Sequence, residues 1–558
     1  MLRRKLAQVS YGTTAGGQQV IILKEGASQN RGRDAQRNNI WAAKEVSNLV
    51  KTTLGPRGMD KMLVDGTGDV TITNDGATIL KEIDVQHPAA KMIVEMSKTI
   101  DNEVGDGTTS VVVLTGSLLQ NAEELIDKGV HPTVIVDGYR KSARKALAIL
   151  DEISIKMVPD DNATLEKIAR TSMLSKLVSN ESKELSALLV KALLQVAEET
   201  PNDHGFKVDL DNIKVEKKAG GSLKDTNFVK GIILDKEVVH SGMPKRIEKA
   251  KIALVNSPLE IEKPEFDAKL DIKNPSQIQQ FLDEETKMLR DMVDKISSVG
   301  ANVLICQKGI DDMAQHYLAK AGILSLRRVK ESDMSKLARA TGASMVTGLE
   351  SLTKADLGYA GLVEERKIEE DKWTFVQECK NPKAVTVLIR GGSQRVIDEA
   401  ERCVHDAIMV IKDVLEKPRF VGGGGSVEQE LSSRLMEWAS SLQGREQLAA
   451  EKFAEALESI PITLAMNAGF DPLDIRVELR ANHSDKKRIW YGVNVLGEQG
   501  VVDLLKHDVI EPASVKEQVI KSATECTCMI LRIDDVIAGG SKASGPPRSP
   551  GGMPPMPE

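Results

Sequence analysis

The sequence predicts a multidomain α+β chain with mostly helical ends and an α/β middle. Its 558 residues are too many for a single hydrophobic core, so two to four domains are expected. Helical periodicity dominates both ends of the chain, whereas short strands and helices alternate between about 300 and 345. Glycine-rich turns of a kind suited to phosphate binding occur near both ends.

Composition and charge exclude several classes of partner. The 75 basic and 82 acidic residues give a net charge of -7, and no Lys/Arg run is long enough to follow a nucleic-acid backbone. No run of about 18 apolar residues occurs, and the basic start lacks the apolar core of a signal peptide. Five cysteines without a CxxC pair favour a reducing compartment. We therefore expect a cytoplasmic protein with no nucleic-acid or membrane partner.

The first 80 residues predict a helix, a hairpin and a second helix. Helical periodicity over 38–53 ends sharply at the LGPRG sequence of 54–58. The next residues alternate between apolar and polar as KMLVD and VTIT, with a GTG turn between them, which predicts a β-hairpin. The NDG sequence at 74–76 then begins another helix.

The stretch NEVGDGTTSVVVLTG (102–116) is typical of a phosphate site at a helix start. Two glycines flank Asp106 and let the backbone approach an anion, and the helix dipole favours negative charge beside Thr108, Thr109 and Ser110. Because a carboxylate repels phosphate unless a cation lies between them, Asp106 indicates magnesium. The alternative is a tight turn capped by Thr108 or Thr109. A second Asp-Gly-x-Thr sequence at Asp75 favours the phosphate site.

The middle of the chain changes from helices to strands. Segments 132–155 and 164–199 are predicted to be helical, with TSMLSK (171–176) between helical stretches, and a β-rich region follows. Residues 259–283 mix charges, exposed apolar residues and two prolines before an amphipathic helix. A long insertion of this kind is usually a functional loop, and the alternative is a merely solvated hairpin.

The C-terminal part repeats the pattern of a strand, glycines and a helix. The VLIRGG sequence precedes a long helix, and VGGGGSVEQEL precedes further helices that are expected to continue to about Ala468. The alternation in SATECTCMILRI predicts a strand with buried thiols at Cys526 and Cys528 rather than a metal site. The Gly/Pro/Ser-rich tail from about 540 predicts disorder.

The chain resembles the group II chaperonins, meaning the archaeal thermosome subunits and their eukaryotic cytosolic relatives. The motifs that carry the resemblance, in this order, are LGPRGMDKML, TITNDGATIL, HPAAKMIVEMSK, EVGDGTTSVVVL, VLIRGG, VGGGGSVE and NAGFDPLD. The resemblance implies three domains. They are a mostly helical equatorial domain (1–160 and 417–558), a small α/β intermediate domain (161–228 and 382–416) and an α/β apical domain (229–381) with a helical protrusion, the built-in lid, at about 259–283.

The resemblance also implies an ATP site that uses Mg²⁺. It assigns the phosphates to the LGP turn of Leu54, Gly55 and Pro56 and to the run Gly107, Thr108, Thr109 and Ser110. It assigns the metal to Asp106, catalysis to Asp398 and Asp75, and γ-phosphate sensing to Lys176. Further nucleotide contacts are assigned to Gly424, Asn467, Ala468, Gly469, Gly492 and Asp503. Without the resemblance, Asp398 would be a surface helix residue paired with Arg395 or Arg402.

The implied function is ATP-driven protein folding. Rings of eight or nine subunits would stack back to back, with or without paralogous subunits, and ATP hydrolysis would close the lid over a non-native polypeptide. No GxxxxGK[ST] sequence is present, so the chain is not a P-loop ATPase. Two alternatives remain open at this point: a metabolic kinase that uses the same glycine turns, and a structural ring or filament without ATP dependence.

Overall fold

The computed structural model describes residues 11–13, 19–21, 28–158, 161–200, 205–261, 275–380, 382–497 and 499–538. The tail from about 540 and the first ten residues lie outside the described residues. Most of the predicted lid segment, residues 262–274, also lies outside them. Within the described part of the chain, no helix is both long and apolar enough to cross a membrane.

Helices account for most of the two ends of the chain. Their bounds are α1 Gly32–Lys51, α2 Gly76–Glu82, α3 Pro88–Val104, α4 Thr108–Asp127, α5 Pro132–Ile153, α6 Asn162–Met173, α7 Ser182–Val196, α8 Pro275–Val299, α9 Asp312–Lys320, α10 Glu331–Thr341, α11 Gln394–Glu416, α12 Ser426–Ala439, α13 Arg445–Leu457, α14 Ser459–Ala468, α15 Pro472–His483 and α16 Ala513–Leu531.

Strands concentrate in the middle of the chain. Their bounds are β1 Tyr11–Thr13, β2 Gln19–Ile21, β3 Ser28–Arg31, β4 Lys61–Val64, β5 Val70–Thr73, β6 Ile155–Lys156, β7 Glu198–Glu199, β8 Phe206–Lys207, β9 Ile213–Ala219, β10 Asn227–Val229, β11 Ile232–Leu234, β12 Arg246–Val255, β13 Val303–Cys306, β14 Leu324–Leu326, β15 Met345–Val346, β16 Gly358–Ile368, β17 Asp371–Gln377, β18 Val385–Gly391, β19 Arg419–Gly422, β20 Tyr491–Val493, β21 Val501–Asp503, β22 Ile510–Pro512 and β23 Asp535–Ala538.

The largest sheet has seven strands in the order β11-β17-β16-β12-β13-β14, with β15 also paired to β12. Its strands β12, β13 and β14 are parallel, and α8 and α9 provide the connections between them. A second sheet joins β9 and β18 in parallel and adds β10 on the other side of β18. The predicted hairpin is present as β4 and β5, which are antiparallel.

Buried apolar side chains form three large clusters. The first cluster joins 40–153 to 421–531, so both ends of the chain build it together. The second lies within 232–384, around the seven-stranded sheet. The third joins 165–213 to 385–415 and includes Ile510. A chain of this length therefore buries its apolar surface in separate cores.

Three predictions about elements need correction. Cys526 and Cys528 lie in α16 and not in a strand, although both thiols are buried as expected. The reason is that the buried residues of α16, among them Val515, Val519 and Ala523, recur at intervals of three or four, which is the helical period. The helix after the predicted lid segment begins at Pro275, within that segment. Helical structure also continues beyond Ala468 as α15.

Candidate functional site

Two adjoining cavities lie where the starts of α4 and α12 meet the LGP turn. The polar cavity is lined by Thr53, Leu54, Gly55, Asn74, Asp75, Asp106, Gly107, Thr108, Thr109, Ser110, Ser175, Lys176 and Asp406. The apolar cavity shares Leu54, Gly55, Asp106, Gly107, Ser110 and Ser175 with it and extends past Pro56 and Gly424 to β20 and α16. Both ends of the chain therefore contribute to one continuous site.

Helix α4 begins at this site without a side-chain cap. Its N-cap is Gly107, which has a left-handed backbone with φ of 81° and provides no side-chain hydrogen bond. Thr108 and Thr109 are helical residues, so the alternative of a turn capped by one of them is not observed. The amides of the first turn, which no intrahelical carbonyl can satisfy, thus face a cavity at the positive end of a 20-residue helix.

Helix α12 begins at the same site in the same way. Its N-cap is Gly425, with φ of 78° and no side-chain hydrogen bond, and Gly424 before it has φ of 61°. Both glycines line the apolar cavity. A side chain at Gly425 would press on Pro461, because a Cβ there would lie 2.6 Å from the proline Cβ. Two helix starts with free backbone N–H groups at one site favour the binding of anions.

Asp75 connects the two Asp-Gly turns. Its Oδ2 accepts hydrogen bonds from the backbone N–H and the hydroxyl of Thr78, both at 2.8 Å, and so caps α2. Its Oδ1 accepts a hydrogen bond from the hydroxyl of Thr108 at 2.9 Å. The next residue, Gly76, lies so close to Thr109 that a Cβ would be 2.6 Å from the Thr109 hydroxyl. The two turns are therefore packed against each other.

Helix α11 brings Asp406 into the polar cavity, where it forms a buried ion pair with Lys176. Burial raises the pKa of Asp406 well above its ordinary value and Asp75 and Asp106 add to the rise, while Lys176 opposes it. Burial alone would lower the pKa of Lys176, but the negative charge of Asp406, with Asp106 and Asp75, more than offsets this and raises it. Lys176 is therefore a fixed cation among three carboxylates.

The structure does not bring Asp398 to either cavity. Its Oδ1 accepts hydrogen bonds from Lys217 Nζ at 2.8 Å and from Gln394 Nε2 at 2.9 Å. The alternative pairing with an arginine is not observed for Arg402, which instead contacts Glu399 at 2.6 Å. Because Asp398 lies eight residues before Asp406 on α11, the two are about 12 Å apart along the helix axis.

The remaining predicted nucleotide residues surround the cavities without lining them. Asn467 donates from its side-chain amide to the carbonyls of Lys51 and Leu54, at 3.1 and 2.9 Å, and so holds the LGP turn. Gly492 packs against Gly424. A Cβ placed on Gly492 would lie 2.9 Å from the carbonyl oxygen of Gly424. Neither Ala468 nor Gly469 lines either of the two cavities. The same holds for Asp503.

Sequence patterns missed several lining residues. Asn494 follows β20 and lines the apolar cavity, and Glu428, Glu511 and Lys516 form part of its wall. The sequence did carry a signal for Asp406. It is a carboxylate within the largely apolar stretch CVHDAIMVI, and a carboxylate is rarely buried unless it is paired or functional. Asn494 stands just after the paired strand YGV, at a strand end where ligands commonly bind.

The charges of the polar cavity suit a polyphosphate with a divalent cation. Uncapped amides and Lys176 attract phosphate, whereas Asp75, Asp106 and Asp406 repel it unless a cation lies between. Among the described residues, no group of three or more His, Cys, Asp or Glu side chains could hold a metal ion by itself. Mg²⁺ usually takes one or two carboxylates together with phosphate and water, and Asp106, the residue that the resemblance assigns to the metal, lines this cavity.

Comparison with known proteins places the chain in a family. Residues 46–541 match the model of the TCP-1/cpn60 chaperonin family. A thermosome subunit alpha of Archaeoglobus fulgidus is 56% identical over 541 residues, covering 97% of this chain and 98% of that protein. Thermosome subunit beta of the same organism is 55% identical over 548 residues, covering 98% and 99%. A thermosome subunit of Pyrococcus abyssi is 56% identical over 522 residues, covering 94% of each chain.

These matches confirm the resemblance that the motifs indicated, and they run through every element that lines the two cavities. The chain belongs to the TCP-1/cpn60 chaperonin family.

Proposed function

We propose that the chain is an ATP-dependent chaperonin subunit that encloses and folds non-native polypeptides in the cytoplasm. The observation that carries the proposal is the pair of adjoining cavities. The uncapped start of α4 meets Asp75, Asp106, Asp406 and Lys176 in the polar cavity, and the uncapped start of α12 lines the apolar cavity beside it. Family membership supports the chaperone activity, and the cavity supports ATP hydrolysis as its driving reaction.

The amides of α4 and α12 would hold the phosphates, with the LGP turn covering them from the opposite side. Lys176 would contact the terminal phosphate, and the apolar cavity beyond Pro56 would take the base and ribose. Asp503, assigned to the ribose by the resemblance, lines neither cavity, although its Oδ1 is buried without a hydrogen-bond partner among the described residues. Asp106 would hold Mg²⁺, which supplies the positive charge that three carboxylates beside a triphosphate require.

Asp406 is the better candidate for orienting the attacking water. Asp406 lines the polar cavity. Asp398 lies on another part of α11 and is paired there with Lys217. A raised pKa suits a group that accepts a proton from water as the oxygen attacks phosphorus. Asp75 would act as the second carboxylate, held in place by Thr78 and Thr108.

The domain division implied by the family is supported by the three apolar clusters. The cluster built from both ends of the chain corresponds to an equatorial domain, the sheet cluster to an apical domain and the third cluster to an intermediate domain. Assembly into stacked rings of eight or nine subunits, with paralogous partners where they exist, follows from the family. Because α11 carries Asp406 and belongs to the third cluster, rotation of that unit would assemble or dismantle the site.

The test is electron microscopy of the purified chain, with and without ATP and Mg²⁺, together with ATP turnover and suppression of aggregation of a chemically unfolded test protein. Double rings that change from open to closed with ATP are expected. A small particle that transfers phosphate to an added metabolite would favour a kinase. Rings that neither hydrolyse ATP nor change shape would favour a structural role.

A further inference from the structure

A buried group of three charges lies in the wall of the apolar cavity. Lys516 donates a hydrogen bond to Glu428 Oε1 at 2.8 Å, and its Nζ lies 2.6 Å from Glu511 Oε2. The side chains of Lys516 and Glu428 are 8% and 5% exposed, and that of Glu511 is 24% exposed. All three residues line the cavity. None of these three residues takes part in the phosphate, metal or water contacts of the proposed ATP site.

The cluster joins three elements that build the nucleotide site. Glu428 lies in the first turn of α12, just after the glycines of its uncapped start, and Glu511 lies in β22. Lys516 lies in α16, between Val515 and Val519, whose methyl groups would be 3.1 and 2.9 Å from a Cβ on Gly107. The position of Lys516 is therefore linked both to the start of α12 and to the start of α4.

Lys516 also balances a local excess of negative charge. In the described chain Glu428 Oε2 has no hydrogen-bond partner and no contact with solvent, so Lys516 provides the compensation for that carboxylate. Burial raises the pKa of Glu511, and Asp106 adds to the rise while Lys516 opposes it. Burial would lower the pKa of Lys516, but Glu428 and Glu511 more than offset this and raise it. Without the lysine, two carboxylates would face a site meant for an anion.

We propose that Lys516 is a positioning residue for the nucleotide, which it serves by neutralising Glu428 and Glu511 and by tying α12, β22 and α16 together behind the base and ribose. This inference rests on the proposed ATP-binding function. It predicts that nucleotide affinity depends on the charge of the cluster and not merely on its packing. A purely structural lysine would affect stability while leaving the affinity of the folded protein unchanged.

The experiment measures the dissociation constant of ADP with Mg²⁺ by isothermal titration calorimetry on the assembled protein, and KM and kcat for ATP. Lys516→Met is expected to weaken ADP binding about tenfold or more and to raise KM with little change in kcat, because both carboxylates lose their counter-charge. The triple variant Lys516→Met/Glu428→Gln/Glu511→Gln is expected to recover most of that loss, since glutamine keeps the shape and removes the charge.

Two further variants keep the test decisive. Glu511→Gln alone is expected to tighten ADP binding severalfold, and it tests the charge argument even if Lys516→Met does not fold. Lys521→Met removes an exposed lysine from the same helix, where it lies 3.8 Å from Glu517, and is expected to bind ADP as the parent does. Unchanged ADP affinity in both Glu511→Gln and a folded Lys516→Met would overturn the proposal. A parent protein that binds no ADP would instead refute the ATP-binding function.

Discussion

At the scale of single residues, the position of Asp406 beside Lys176 predicts that its carboxylate is needed for ATP turnover. Asp406→Asn keeps the size and hydrogen-bonding capacity of the side chain but removes the carboxylate that would accept a proton from water. We expect ATP turnover to fall by about two orders of magnitude or more, with nucleotide binding retained. Steady-state ATP hydrolysis and ADP calorimetry on the same preparation measure the two quantities.

The matched control for this prediction is Asp398→Asn, on the same helix. Because Asp398 is bound to Lys217 and Gln394 outside the cavities, its replacement is expected to change turnover by less than about threefold. If Asp398→Asn abolished hydrolysis while Asp406→Asn left it intact, the assignment of roles along α11 would have to be exchanged.

Asp413 predicts a dependence of stability on pH. Burial raises its pKa to about 7, with Glu416 acting in the same direction and Lys412, Lys417 and the hydroxyl of Ser514 opposing it. The folded chain therefore binds the proton of Asp413 more tightly than the unfolded chain does. The stability that this proton contributes is complete below about pH 4, the pKa of an aspartate in the unfolded chain, and is lost as the pH rises to about 7.

Asp413→Asn should remove that loss. The variant is expected to be more stable than the parent at pH 8, by on the order of 2 kcal/mol, with the difference vanishing towards pH 4. The measurement is the midpoint of urea unfolding across this pH range. Asp294→Asn, at an exposed position on α8, serves as the control and should show no such trend. A gain in stability that is the same at pH 4 and pH 8 would contradict the titration of Asp413.

The residue types at the site were easier to predict than their exact positions. The turns that supply Asp75, Asp106 and Gly107 are local sequence features, and the structure brings them together as expected. Asp398 and Asp406 both lie on α11, and which of them reaches the cavity depends on how that helix docks against α3 and α6. Docking is set by long-range packing, which no local pattern contains.

The helix starts are the elements that define the site, and Gly107 tests their importance. An alanine there must adopt a φ of 81° and place its Cβ 2.9 Å from Val519 Cγ2. The positive φ costs about 1 kcal/mol, and the crowding against α16 is expected to add about 1–3 kcal/mol. Gly107→Ala should therefore lower the free energy of unfolding and weaken ADP binding, as measured by urea unfolding and calorimetry.

Gly129→Ala isolates the contribution of the backbone. Gly129 has a similar φ of 84°, but no heavy atom lies within 4 Å of the position its Cβ would take. This variant should lose only about 1 kcal/mol and bind ADP normally. Equal effects at Gly107 and Gly129 would mean that contact between α4 and α16 does not shape the site.

Element type could be predicted where the sequence period was unambiguous. The hairpin of β4 and β5 and the long helix α11 follow directly from alternation and from helical spacing. In α16 the local sequence around Cys526 alternates like a strand, and the helical spacing becomes clear only over the full 19 residues. A short window therefore favoured the wrong period.

At the scale of the whole molecule, and apart from the single residue Ile510, the chain crosses twice between the first and third apolar clusters. These crossings run through 156–158 and 417–419, where Met157 donates its backbone N–H to the carbonyl of Pro418 at 3.0 Å. With few covalent connections between these clusters, a rotation at this point would move α11 and Asp406 relative to α4. The site would then open and close whenever the unit built around the third apolar cluster rotates.

The hairpin of β4 and β5 makes the last prediction, which concerns assembly. Met62 and Ile72 are cross-strand partners on its outer face and are 67% and 39% exposed, and Val64 extends the same apolar face. A two-stranded hairpin is marginally stable alone, and an exposed apolar face on one indicates a contact with another subunit. Met62→Lys/Ile72→Lys should therefore prevent ring formation while the chain remains folded.

Light scattering after size-exclusion chromatography should show the double variant shifted towards the mass of a single chain, 60.8 kDa, with a circular dichroism spectrum like that of the parent. Met288→Lys places a lysine at another exposed methionine, on α8, and should leave the assembly intact. Rings that persist in the hairpin variant would show that this face is not a subunit contact. Loss of rings in both variants would mean that added positive charge, and not the hairpin face, disrupts assembly.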